Sequence, residues 1–111
     1  MDFERWNDLL CQFLDELRVQ FPAEHGLHVF RLAVVSAKAL EPSKPCRMFV
    51  REIEPHADLL RARDARLFDV LGTIGGVDFG ALWRSTSDQA TRETTLDYVS
   101  VLFFTGQKLL A

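Results

Sequence analysis

The sequence predicts an all-α fold, a compact single-domain bundle of five or six helices spanning residues 1–111. Near the start, apolar residues recur at alternating spacings of three and four, the period of one helical face, at Phe3, Trp6, Leu10, Phe13 and Leu17. A similar stripe lies near the C-terminus, at Leu96, Val99, Leu102 and Phe103. The chain has 111 residues, 48% of them hydrophobic, which is enough for one core without a metal or a disulfide.

The first two helices are predicted from their caps and their apolar faces. Asp2 is the predicted N-cap of a helix over residues 3–21, which Pro22 ends. A second helix is predicted over residues 25–40, and the apolar run 32–35 beside its inner face predicts burial on two sides. Its inner face comprises Leu27, Phe30, Val34 and Ala37. We expect the first and last helices to form most of the core.

Prolines and an aspartate divide the middle of the chain. Ser43 is the predicted cap of a third helix, whose inner face comprises Met48, Phe49 and Ile53. Pro55 either ends this helix or opens a fourth segment over residues 56–71. We expect that segment to break near residues 63–64, with Asp64 as the cap of its second half.

Two further helices are predicted in the last third of the chain. Asp78 is the predicted cap of a short helix. The last helix is predicted over residues 87–105, with Thr86 or Ser87 as its cap. Gly106 is predicted to end it, because glycine commonly terminates helices.

Charge is unevenly distributed, although the net charge is only −3. Residues 2–24 hold six acids against two bases, and residues 44–66 hold six bases against four acids. The simplest interpretation is two solvated faces that attract each other weakly. A nucleic-acid-binding function is the alternative, although interleaved acids in this segment would repel phosphates. Its candidate basic patch comprises Arg47, Arg51, Arg61, Arg63 and Arg66.

No catalytic, cofactor or metal-binding motif stands out. His25 and His28 have a spacing that suits metal binding on a helix, but Cys46 and His56 are the only soft ligands left to complete a site. Cys11 lies beside the first apolar stripe, which favours a half-buried structural thiol over a nucleophile. We therefore expect no enzymatic activity, no cofactor and no metal.

Three polar or flexible segments are interpreted as structural. The glycine-rich stretch 72–80 lacks the Gly-Lys-Ser/Thr ending of a phosphate loop, so we expect a plain interhelical loop. The hydroxyls of residues 85–87 are expected to act as caps. Asp15 and Glu16 are adjacent on a helix and point about 100° apart, so they do not form a catalytic carboxylate pair.

Packing and capping motifs recur along most of the chain. Near the start, a phenylalanine-leucine-acid-acid-leucine run at 13–17 is followed by phenylalanine-proline at 21–22. Further packing and capping residues of the same pattern are Phe49 through Ile53, Pro55, Leu60, Asp64, Leu67-Phe68, Leu82-Trp83, Ser87 and Tyr98-Val99 through Leu102. This pattern resembles a family of small α-helical proteins encoded by large DNA viruses of algae and other protists. The resemblance implies a helical fold and a viral origin, without implying an activity.

The chain departs from that family's pattern at two places. Leu96 stands where a tryptophan is more usual, and the loop 72–80 is richer in glycine. Both departures affect the surface that a partner would meet rather than the fold.

Apolar residues cover more than one face of the last predicted helix, so this helix is either central in the bundle or meets a partner. The candidate partner surface comprises Tyr98, Val101 and Phe104. We expect a non-enzymatic interaction protein, a viral accessory or adaptor protein that binds a protein partner or associates with itself.

The expected location is intracellular, in the host cytoplasm or nucleus, or in the virion. The start of the sequence lacks the basic region of a signal peptide, and no apolar run approaches the ~18 residues of a membrane span. Both cysteines are therefore expected to be reduced in a soluble protein.

Overall fold

The structure is a computed structural model that describes residues 1–111 and contains helices but no strand. Its elements are α1 (Phe3–Gln20), α2 (His25–Leu40), α3 (Lys44–Ile53), a 3₁₀ turn (Glu54–His56), α4 (Ala57–Arg61), α5 (Leu67–Val70), α6 (Phe79–Ser85) and α7 (Gln89–Leu110). Because α3, the 3₁₀ turn and α4 follow one another without a gap, the chain forms six continuous helical segments. The predicted all-α bundle is confirmed.

The first two helices lie where the sequence predicts them. The Oδ1 atom of Asp2 accepts a hydrogen bond from the backbone N–H of Arg5 at 2.9 Å, so Asp2 caps α1. The helix ends at Gln20 because Phe21, which precedes a proline, takes a non-helical conformation with φ −126° and ψ 65°. Helix α2 spans the predicted residues.

The middle segment bends at the predicted places, but two caps differ. Ser43 occupies the cap position of α3 without making a capping hydrogen bond, and its hydroxyl accepts a bond from Arg47 instead. Pro55 lies within the 3₁₀ turn that joins α3 to α4. The predicted capping of α5 by Asp64 is wrong: this side chain accepts the Arg66 N–H in a turn, and the helix begins at Leu67.

The predicted cap of α7 at Thr86 or Ser87 is also wrong. The carboxylate of Asp88 accepts hydrogen bonds from the backbone N–H of Thr91 at 3.2 Å and from its hydroxyl at 2.6 Å. A carboxylate is favoured there because it also interacts with the positive end of the helix dipole. These hydrogen bonds hold the pKa of Asp88 below its ordinary value.

Gly106 does not end α7, which continues to Leu110. The glycine is buried at the point where α7 crosses α3 and α1. A Cβ atom at this position would lie 2.8 Å from Cγ2 of Val50, 3.0 Å from Sγ of Cys46 and 3.2 Å from Nε1 of Trp6. Gly106 is therefore a packing residue that permits close helix approach, a role that a sequence signal for a helix end does not distinguish.

A single core cluster of 26 buried residues fills the bundle. Helix α1 supplies six of them and α7 supplies four, so the expectation that these two helices form most of the core is wrong. Helix α3 contributes Cys46, Phe49, Val50 and Ile53. The remainder comes from α2, from α4 to α6 and from the segment that joins α5 to α6.

The glycine-rich stretch is a structural turn that supports α2. Gly75 and Gly76 have φ values of +60° and +83°, which suits a tight two-residue turn. Ile74 and Val77 flank this turn, exchange two backbone hydrogen bonds of 3.0 Å and are both buried. A Cβ at Gly75 would lie 2.3 Å from Cδ1 of Phe30, so the turn packs directly against the inner face of α2.

Substituting Gly106 by alanine tests the close crossing of α7 over α3. Alanine improves helix propensity by about 1 kcal/mol. We nevertheless expect Gly106→Ala to lower the free energy of unfolding by up to about 2 kcal/mol, because overpacking a core typically costs about 1–3 kcal/mol and offsets this gain. Gly72→Ala, in a loop, is the control for an unobstructed glycine, since a Cβ there meets nothing within 4 Å. Urea unfolding that shows Gly106→Ala to be more stable than the parent would contradict this packing.

Candidate interaction surfaces

The two cysteines are buried thiols rather than nucleophiles. Cys46 is 0% exposed and Cys11 is 8% exposed. Burial raises the pKa of Cys46 from its ordinary 9.0 to about 11, and burial also raises the pKa of Cys11. Since the thiolate is the reactive form, neither side chain is activated at neutral pH.

The histidines and acidic pairs singled out in the sequence do not converge. His25 and His28 are both exposed on α2. No group of three or more His, Cys, Asp or Glu side chains is placed to hold a metal ion. Asp15 forms an ion pair with Arg31 of α2 at 2.8 Å, whereas Glu16 lines a cleft between α1 and α7.

Most of the candidate basic patch is neutralised by nearby carboxylates. The ion pairs join Arg47 to Glu41, Arg61 to Asp58, Arg63 to Asp97 and Arg66 to Asp64. Arg51 is exposed and forms no ion pair. No ion pair joins the acidic start of the chain to this basic segment, because the arginines pair within or beside their own segment and with α7. This arrangement offers phosphates few free guanidinium groups.

The candidate partner surface on the last helix is only partly free. Tyr98 stacks on Phe13 with ring centroids 4.8 Å apart. Phe104 lies against Phe103 at 5.1 Å, with the Arg61 guanidinium 5.8 Å from its ring centroid. Val101 alone of the three predicted residues is classed as exposed, at 45%. Helix α7 contacts α1, α3 and α4, which makes it central in the bundle.

A cleft of about 320 Å³ separates the end of α1 from the start of α7. Two of its polar groups take part in hydrogen bonds within the fold. Asp88 caps α7, and the Thr95 hydroxyl donates to the Thr91 carbonyl at 2.8 Å. The cleft therefore resembles a space between two helices more than a site with free chemical groups.

The exposed side of α2 is the unusual surface of this molecule. We call it the outer face of α2 and define it as nine exposed residues: His25, His28, Val29, Leu32, Ala33, Val35, Ser36, Ala39 and Leu40. None has a formal charge at pH 7 when histidine is neutral. Its four large aliphatic side chains are 61%, 52%, 39% and 90% exposed, at Val29, Leu32, Val35 and Leu40.

Ion pairs with α1 explain the lack of charge on this face. Helix α2 contains only two formally charged residues, Arg31 and Lys38. Arg31 pairs with Asp15 at 2.8 Å, and Lys38 pairs with Asp8 at 4.0 Å, so both side chains turn toward α1. Every formal charge of α2 therefore lies on one flank, whereas a solvated helix face normally displays charged side chains.

The predicted two-sided burial of α2 is thus wrong, although the apolar run behind it is real. Leu27, Phe30 and Val34 are buried, but Leu32 and Val35 face solvent. The run 32–35 shows that α2 is apolar on two sides, and a sequence pattern alone does not reveal whether this chain or another covers the second side.

Comparison with known proteins adds no relative: no protein-family model, curated protein or solved structure matches this sequence. None of the helices combines the length and the apolar character needed to cross a membrane.

Alkylation tests the assignment of Cys46 as an inert core thiol. A pKa of about 11 instead of 9.0 leaves about 100-fold less thiolate at pH 8, and burial slows reagent access further. We expect iodoacetamide to modify Cys46 at least about 100-fold faster in denaturant than in the native protein.

The raised pKa of Cys46 makes the stability of the fold depend on pH in the alkaline range. Because folding favours the protonated thiol, its contribution to stability is fully present below pH 9.0 and is lost as the pH rises through about 11. Equal alkylation rates in the native and denatured protein would contradict the burial of Cys46.

Proposed function

We propose that this chain is a non-enzymatic interaction protein that docks a protein surface onto the outer face of α2. The observation that supports this proposal is that the exposed side of α2 is apolar and contains no formally charged residue. Exposed apolar patches of a few hundred Å² commonly mark interaction sites on otherwise soluble domains.

The exposed aliphatic side chains supply the driving force for docking. Each ~100 Å² of apolar surface removed from water contributes about 2.5 kcal/mol at about 25 cal/mol per Å². Association itself costs at least ~4 kcal/mol in lost translational and rotational freedom, and ordering of side chains adds to this cost. The balance corresponds to a reversible complex rather than a permanent one.

The sequence resemblance supports a narrower form of the proposal. We propose that the chain serves as an accessory or adaptor protein of a large DNA virus and that its partner is a protein of the infected cell, of the virion or a second copy of the chain.

Charge introduced on two different helices tests which surface binds. We expect Leu32→Glu to abolish partner capture, because docking would bury the new carboxylate in an apolar contact. Val101→Glu, on α7, is the matched control and should retain binding. The measurement is an affinity pull-down with a tagged chain, treated with nuclease and quantified by mass spectrometry.

Both positions are exposed, so we expect the free energy of unfolding of each variant to lie within about 0.5 kcal/mol of the parent value. Circular dichroism and urea unfolding check this. Loss of binding in Val101→Glu with retention in Leu32→Glu would instead place the partner on α7. Capture that disappears with nuclease would favour the arginine-rich segment.

A further inference from the structure

We infer that the occupant of the outer face of α2 is the same face of a second copy, with the two α2 helices packed antiparallel about a two-fold axis. This inference rests on the proposed function, because it names the partner of the same surface. Three properties of the face support a self-complementary contact: its neutrality, the charges at its two ends and the order of its large and small side chains.

Neutrality permits self-association. A two-fold interface brings the same surface of both copies together, so any net charge on that surface would repel itself. The exposed side of α1 is less suited to this contact because its charges do not balance: Glu4, Asp8, Asp15 and Glu16 stand against Arg5 and Arg18. The outer face of α2 has no formal charge, and burying it leaves no Asp, Glu, Lys or Arg without a partner.

The charges at the two ends of α2 favour the antiparallel orientation. Glu24 precedes the helix, and Lys44 follows it, held near the helix end by a 3.0 Å hydrogen bond from its N–H to the Glu41 carbonyl. Neither side chain takes part in an ion pair, whereas Glu41 is paired with Arg47. The Glu24 carboxylate also caps α2 by accepting a 3.1 Å hydrogen bond from the Gly26 N–H, which places its charge at the start of the helix. An antiparallel pair sets Glu24 near Lys44 of the second copy, while a parallel pair would set each charge against its own kind. The helix dipoles also favour the antiparallel orientation, because each positive helix end then lies beside the negative end of the other helix.

Large and small side chains alternate in a way that suits this orientation. The two-fold axis passes near Val34, whose own side chain points into the core. Residues equidistant from this position then face each other, so Leu32 meets Ser36 of the second copy and Val29 meets its Ala39. Val35 likewise meets Ala33, so three of the four large aliphatic side chains enter the space left by a small one, as close helix packing requires. Leu40, the fourth, meets His28 at the end of the contact.

The size of the contact predicts a weak dimer. Helix α2 has 16 residues, and its exposed side buries less area than the ~800 Å² per partner of a standard interface. We therefore expect a dissociation constant on the order of 10–100 µM.

Sedimentation equilibrium over a concentration series tests the dimer. The weight-average mass of the parent should rise from 12.7 kDa toward twice that value. Leu32→Glu should remain monomeric, with association weakened at least about 30-fold by two buried carboxylates. Val101→Glu should associate like the parent.

Charge exchange at low salt tests the orientation. In an antiparallel pair, Lys44→Glu creates two like-charge contacts with Glu24, and we expect it to weaken association about threefold or more. The double variant Glu24→Gln/Lys44→Glu removes both repulsions and keeps a side-chain oxygen to cap α2 at the Gly26 N–H, so it should bind more tightly than Lys44→Glu alone. In a parallel pair, residue 44 meets its own kind before and after the exchange, so Lys44→Glu would leave the affinity unchanged.

The outcomes separate this inference from the proposed function. A parent chain that stays monomeric overturns the dimer. If Leu32→Glu still abolishes capture of another protein, the proposed docking face remains supported. A dimer that is unaffected by Leu32→Glu overturns the assignment of the face. A dimer that is sensitive to Leu32→Glu but not to Lys44→Glu overturns the antiparallel orientation.

Discussion

The bundle depends on a buried contact between its first and last helices. The indole Nε1–H of Trp6 donates a 2.8 Å hydrogen bond to the backbone carbonyl of Leu102, which lies 96 residues away in the chain. The same indole packs edge-on against Phe49 of α3, with ring centroids 5.8 Å apart. Gly106 leaves room for this approach, because a Cβ there would stand 3.2 Å from Nε1. Trp6 thus joins α1, α3 and α7 into one frame whose buried polar group is satisfied.

Helix α2 packs against this frame on one side only. Its inner side packs on α1, on α3 and on the turn at Gly75, and its two charged side chains pair with α1. Exposed ion pairs of this kind contribute little to stability. Both cations of α2 lie on the flank beside α1, and the side that faces solvent contains no formally charged residue. The proposed docking surface is therefore the side of α2 opposite its attachment to the frame.

The sequence predicted the helices better than the contacts between them. Apolar periodicity and caps such as Asp2 and Asp78 are local signals, so α1, α2 and α6 begin where expected. The sequence pattern at Gly106 indicates a helix end, whereas its actual role depends on Val50 and Cys46, which only tertiary structure brings near. The run 32–35 predicts burial for a related reason: periodicity reports an apolar side, and whether another element covers that side depends on tertiary contacts.

The most direct test of the account is a dilution series of ¹H–¹⁵N correlation spectra of the parent chain. Raising the protein concentration should shift backbone amide resonances along the outer face of α2, centred on Leu32 and Ser36, and leave those around Val101 unchanged. Shifts centred on α7, or spectra that do not change with concentration, would contradict the claim that the uncharged side of α2 is a self-complementary docking surface.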